Sequence, residues 1–177
     1  MGERKTYTLI TETPLGKIQA AAMDNALIGL WFIGQKYFPV DAKLWLKEPD
    51  YPVFVSLKTW LNDYFASKNP KIKINLALSG TDFQQQVWKL LREIPYGKMS
   101  TYGAIAAKLS SGGKKASAQA VGGAVGHNPI SILIPCHRVI GSDGSLTGYA
   151  GGLDKKRALL ELEKAISTND PGKCLPR

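Results

Sequence analysis

The chain has 177 residues, of which 44% are hydrophobic and 21% charged, with a formal net charge of +9. That length supports one domain or two small ones with a real core, and the composition is ordinary for a soluble globular protein, which excludes a disordered or fibrous chain. The positive balance bears on partners rather than fold and fits nucleic acid or another polyanion.

Residues 7–10 and 17–22 flank the turn-like Thr13-Pro14-Leu15-Gly16, and Asp24-Asn25 leads into an apolar run over 27–33. These read as a small antiparallel meander. A helix follows, with Leu57, Trp60, Leu61, Tyr64 and Phe65 on one face, a stripe read as core. Ile72, Ile74, Leu76 and Leu78 alternate as a further strand, and Ser79-Gly80 marks a domain boundary. The expected domains are 1–79, a small α/β unit, and 80–166, mainly α-helical, with a tail over 167–177.

The second part changes character. Thr81 and Gln84 form a capping box. The helix it opens should bury Phe83, Val87, Leu90, Leu91 and Ile94 and end at Pro95-Tyr96-Gly97. Ser100 is placed to cap a short helix from 101 to about 109. A turn over 110–113 leads to another helix, from Lys114 or Lys115 to about Gly126. Two short helices joined by a glycine-containing turn suggest a helix-turn-helix. The later helix has almost no bulk: Ala116, Ser117, Ala118, Gln119, Ala120, Gly122, Gly123, Ala124 and Gly126. Glycine in a helix costs roughly 0.5–1 kcal/mol relative to alanine, so several imply close approach to another surface. That surface is a neighbouring helix or a narrow DNA groove, and Lys114 and Lys115 suit phosphates. Residues 141–152 are too rich in glycine for strand or helix and lack the Gly-Lys-Ser/Thr of a phosphate loop. They read as a flexible pocket wall.

Chemistry concentrates at Ile134-Pro135-Cys136-His137-Arg138-Val139-Ile140, a strand-like segment that sets one of two cysteines beside one of two histidines. A thiol becomes a nucleophile when a nearby base or positive charge favours the thiolate. Adjacent side chains in extended chain point to opposite sides, so a direct Cys136–His137 hydrogen bond needs a turn; otherwise a water carries the proton. Residues 154–166 look helical, with Leu159, Leu162 and Ile166 on one stripe. Glu163 falls inside that stripe, and Glu161 falls outside it, facing Arg157. A carboxylate on a buried face needs a partner. It either snorkels to water at the edge of the stripe or orients His137 and stabilises its cationic form.

Cys174 lies in a Pro/Gly-flanked tail, and two cysteines do not make a disulfide framework, so a reducing cytosol fits. A structural zinc would consume both cysteines and both histidines, and none is expected. No apolar run reaches membrane-spanning length, and no secretory signal is present. The start Met1-Gly2-Glu3-Arg4-Lys5-Thr6 formally fits an acylation pattern, read as chance.

The stretches Ala120-Val121-Gly122-Gly123-Ala124, Asn128-Pro129, Pro135-Cys136-His137-Arg138-Val139, Gly148-Tyr149-Ala150-Gly151-Gly152-Leu153 and Leu159-Leu160-Glu161-Leu162-Glu163 closely resemble the methylated-DNA–protein-cysteine methyltransferases, which repair 6-O-alkylguanine in DNA. The resemblance is strong over about 81–165 and weak before it. It implies a ribonuclease H-like α/β domain followed by a domain whose helix-turn-helix docks in the minor groove, with the damaged base flipped into a pocket. Cys136 then matches the alkyl acceptor, His137 the water-linked base and Glu163 the carboxylate behind it. Asn128 matches the residue bracing the cysteine segment, and Tyr102 the proton donor to the leaving guanine. Val139 with Tyr149, Ala150 and Gly151 matches the pocket wall, and Ala118, Gln119, Lys114 and Lys115 the DNA-facing side. One position departs: Gln119 stands where the family often has an intercalating arginine. The resemblance further implies a single turnover, no cofactor, duplex DNA carrying 6-O-alkylguanine as partner, a monomer and a cytoplasmic location. Two rivals are a non-reactive binder of alkylated DNA and a Cys-His-Glu hydrolase.

Overall fold

The computed structural model describes residues 5–111 and 115–168. The chain divides into two compact units, one of residues 1–79 with 129–131, the other of 80–128 with the chain from 132 on.

The first unit is built on β1 (Tyr7–Thr13), β2 (Gly16–Met23) and β3 (Ala26–Phe32), an antiparallel meander. Asp24 and Asn25 both take positive φ, which is the tight hairpin geometry that matches strand twist. The two-residue β4 (Leu46–Lys47) pairs parallel to β1, so the sheet is mixed, in the order β3-β2-β1-β4. Helix α1 (Pro52–Phe65) opens on a proline, whose missing N–H is no loss in a first turn. It lies on β1 and β2 and buries Phe54, Leu57, Trp60, Leu61 and Tyr64. The strand expected over 72–78 does not form. Only Leu76 bridges, to Leu27, while Leu30 bridges to Ile130 instead. The open edge of β3 is shared between two short segments, so neither extends into a strand, and Ile72 remains exposed.

In the second unit, α2 (Asp82–Arg92) carries the capping box: Gln84 N–H donates to Thr81 Oγ1 at 3.2 Å, and Thr81 N–H to Gln84 Oε1 at 2.9 Å. It buries Val87, Trp88 and Leu91, with Ile94 just beyond, whereas Phe83 and Leu90 are half-buried. Trp88 anchors the helix, its indole donating to Ala124 O at 2.9 Å. Helix α3 (Tyr102–Ser110) is capped by Thr101 rather than Ser100, because Ser100–Thr101 is strand β5, paired parallel with β6 (Val139–Ile140). Helix α4 (Ala118–Gly126) begins later than the spacing suggests, because the Ser117 hydroxyl accepts from Ala120 N–H and fixes the start there. Helices α2, α3 and α4 pack together, and α5 (Leu153–Leu162) closes the unit. It ends four residues earlier than expected, with Glu163 as its C-cap.

Candidate active site

The cysteine segment is not a strand. Cys136–Arg138 forms a single 3-10 turn between Pro135 and β6, with Arg138 N–H donating to Pro135 O at 3.0 Å. Cys136 and His137 are both buried. Their side chains are not hydrogen-bonded to each other. Asn128 Nδ2 donates to Cys136 Sγ at 3.1 Å and to Ile134 O at 2.8 Å, so one amide braces both the nucleophile and the backbone before it. His137 Nε2 lies 2.8 Å from Glu163 Oε1. That carboxylate is ionised, so Nε2 carries the proton and Nδ1 keeps its lone pair. Nδ1 is buried and has no protein partner among the described residues.

Glu163 is 2% exposed and is held by more than the histidine. Arg138 donates from Nε to Oε2 at 2.8 Å and from Nη2 to Oε1 at 2.9 Å. Gly97 N–H adds a contact to Oε2 at 3.3 Å. Gly97 has φ +72, and a Cβ there would sit 2.9 Å from Glu163 O, so this turn requires glycine. Of the two sequence readings of Glu163, the structure gives the buried, partnered one. Glu161 meets Arg157 at 3.9 Å, across one helical turn.

Burial governs the titration of the site. It pushes the Cys136 thiol above its ordinary value, although the Asn128 bond and the Lys156 charge pull the other way. It also lowers His137, despite the bond and charge of Glu163. Burial would raise Glu163 as well, but His137 and Arg138 together outweigh it and hold the carboxyl well below the usual range. Burial thus favours the neutral thiol and the neutral imidazole. A neutral imidazole is the form able to accept a proton.

An open pocket of about 470 Å³ is lined by Tyr102, Ala118, Gly122, Ser142, Thr147 and Gly148 among others, and Cys136 is not one of its lining residues. Tyr102 lines it, its hydroxyl donating to Thr147 O at 2.9 Å or Gly148 O at 3.2 Å. Burial raises the Tyr102 phenol above its ordinary value. Val139 is buried, and Tyr149, Ala150 and Gly151 are half-buried. None of these four lines the pocket, whose loop wall is Gly141, Ser142, Thr147 and Gly148. Gln119 and Ala118 are exposed on the first turn of α4. Lys115 is exposed ahead of that helix, and Lys114 lies outside the described residues. A Cβ on Gly123 would meet nothing within 4 Å, so packing within the protein does not demand that glycine.

Sequence reasoning missed Arg138 and Lys156. Arg138 was visible only as part of the motif. Lys156 stands within Asp154-Lys155-Lys156-Arg157 and looks solvated, yet it is 0% exposed. The available signal was its spacing: 156, 159, 160 and 163 fall on one helical stripe.

The profile described as the 6-O-methylguanine DNA methyltransferase DNA binding domain matches residues 82–165, and that of the ribonuclease-like domain of the same family matches 5–78. A protein of Mycobacterium tuberculosis named methylated-DNA–protein-cysteine methyltransferase is 46% identical over 159 residues, covering 90% of this chain and 93% of that protein. One of the same name from Methanosarcina barkeri is 46% identical, covering 89% and 97%. The crystal structure of Mycobacterium tuberculosis OGT in complex with DNA superposes with a TM-score of 0.80 at 43% identity, covering 90% of this chain and 93% of that one.

Proposed function

The chain belongs to the 6-O-methylguanine DNA methyltransferase family, and from that premise we propose that it repairs DNA by moving the alkyl group of 6-O-alkylguanine irreversibly onto Cys136. The observation that carries this reading is the buried Cys136–His137–Glu163 arrangement, with Asn128 on the sulfur.

The steps follow from the geometry. The Cys136 proton passes to His137 Nδ1, by way of a water, while Glu163 stabilises the imidazolium that forms. Sγ attacks the alkyl carbon in line. The S–C bond forms as the C–O bond breaks, and the electron pair leaves with the guanine oxygen. A guanine ring nitrogen then takes up a proton, with the Tyr102 hydroxyl as donor. The product is a thioether, and no residue at the site is able to cleave one, so each molecule acts once and no cofactor takes part.

The exposed side of α4 fits the minor groove of duplex DNA. Its small residues let backbone approach backbone, Gln119 and Ala118 face the extruded base, and Lys114 and Lys115 meet phosphates. The protein acts as a monomer in the cytoplasm. Its repair unit is 80–166, preceded by the ribonuclease-like unit and followed by a tail. No helix among the described residues is long and apolar enough to cross a membrane.

Intact-mass measurement tests the reading. Incubation with a duplex carrying 6-O-methylguanine should add a single methyl, located on Cys136, and then stop. Binding without a mass change points to a non-reactive damage binder. Repeated turnover on acyl substrates points to a hydrolase.

A further inference from the structure

A groove along α1 takes no part in the chemistry of Cys136. It encloses about 480 Å³, and its lining comes from the first unit alone: Val55, Thr59, Trp60 and Asp63 of α1 with Lys71, Lys73 and Ile74 of the segment that follows. A surface helix normally turns polar residues to solvent. Here Val55 is 47% exposed, and Ile72, set between the two lysines, is 39% exposed. Val55 lines the groove together with Trp60, Pro70 and Ile74, so its apolar surface is continuous rather than scattered.

Most polar groups of the groove are already engaged. The Ser56 and Thr59 hydroxyls donate back into α1, to Pro52 O at 3.5 Å and Val55 O at 3.2 Å. The Trp60 indole donates to Pro70 O at 3.2 Å. Asp63 is neutralised by Lys68 at 2.8 Å. Lys71 and Lys73 are exposed and have no acidic partner among the described residues. The backbone beside them is open as well. Residues 71–74 belong to no helix or strand, and their N–H and C=O groups make no hydrogen bond among the described residues. Pairing starts only at Asn75 and Ala77, which bond to Leu27. Open backbone groups beside an apolar groove are what an added peptide strand pairs with.

We infer that this groove is a docking site for an acidic peptide segment of a partner protein, paired along residues 71–74, with an apolar side chain in the groove and carboxylates on Lys71 and Lys73. Charge complementarity selects the occupant. A second copy of this chain, with its net charge of +9, brings more repulsion than attraction. A nucleic-acid strand also fits less well. Phosphates carry no apolar group to fill the groove, and base stacking needs an open ring face. Trp60 is 7% exposed and already stacked on Tyr64, with ring centroids 5.1 Å apart.

Fluorescence anisotropy on the full chain tests the proposal with a labelled octapeptide, Asp-Glu-Asp-Leu-Asp-Phe-Glu-Asp. Wild type should bind it with a Kd on the order of micromolar. Exchanging its acids for Asn and Gln, or its Leu and Phe for Ala, should weaken binding by roughly tenfold or more. The paired change Lys71→Glu with Lys73→Glu should do the same, and should gain affinity for the peptide carrying Lys in place of its acids. Thr59→Trp fills the groove from an exposed position and should weaken binding without altering charge. Both variants should melt like wild type and take up methyl from DNA at the wild-type rate. If Thr59→Trp melts early, the charge-reversed pair decides the question. A wild type that does not bind the octapeptide, or variants that bind it equally well, would overturn the proposal. So would a single-stranded oligonucleotide whose affinity falls with Thr59→Trp, since the groove would then hold nucleic acid.

Discussion

Arg138 grips Glu163 through two separate contacts, Nε to Oε2 at 2.8 Å and Nη2 to Oε1 at 2.9 Å, while its Nη1 donates to Ile94 O at 2.6 Å. The carboxylate is thus neutralised by a permanent cation before His137 gains any charge. That explains how a buried glutamate stays ionised beside a neutral imidazole. Arg138 Nη2 meets the same Oε1 that His137 contacts, so the His137 tautomer is set by a carboxylate held in place from the cysteine turn itself.

Glu163→Gln should therefore impair more than one contact. The amide cannot stabilise the imidazolium, and the half-buried Arg138 is left without its counter-charge. A hydrogen bond to a charged group contributes about 1.5–3 kcal/mol, so transfer should slow roughly tenfold to a hundredfold. The apparent pKa of Cys136 should also rise, because His137 becomes a weaker base. An unchanged pH–rate profile would show that Glu163 only supports the fold.

Stability should depend on pH with a defined sign. Glu163 and His137 both titrate lower in the folded protein than their ordinary values of 4.5 and 6.5. Their contributions are complete above those values and are lost as pH falls, first below 6.5 and again below 4.5. Cys136 is raised above its ordinary 9.0, so its contribution is lost as pH climbs past that value. Thermal melts should show a plateau between the two limbs. Subtracting the Cys136→Ala curve from wild type should isolate the alkaline one; if the difference is flat above pH 9, the thiol is not held protonated by burial.

Gly123 separates folding from docking. Its site has room for a side chain, so Gly123→Ala should raise helix stability by roughly 0.5–1 kcal/mol. Gly123→Leu should fold as well yet bind DNA more weakly, because bulk on this face prevents close approach to the groove. Equal DNA affinity for glycine and leucine, measured by anisotropy, would remove α4 from the interface.

Gln119 is exposed at the second position of α4. Base extrusion costs on the order of a few kcal/mol. If Gln119 fills the vacated stack, Gln119→Arg should speed repair in duplex more than in single strands. A phosphate contact alone would help both and would steepen the salt dependence by about 0.9 log unit per log salt. An unchanged duplex-to-single-strand ratio would place Gln119 away from the extruded base.

The features legible in the chain were those with local causes. The Thr81–Gln84 capping box needs only residues three apart, and the Asp24-Asn25 hairpin needs only residues that tolerate positive φ. Glu163 could be assigned to a buried face because a helix repeats every 3.6 residues, even though α5 ends just before it. What escaped depended on distant segments. The 72–78 alternation suits a strand, but an edge shared with residues 129–131 gave it one bridge. The cysteine segment looked extended, and became a turn where it meets β6 and the Asn128 amide. Lys156 carried the same charge as its half-buried neighbours Lys155 and Arg157, and only packing against the Val139 and Thr147 carbonyls distinguished it. Local backbone preference is written in neighbouring residues. A buried cation and its partners are set by which chain segments tertiary packing brings within hydrogen-bonding distance, and no short window of sequence contains that.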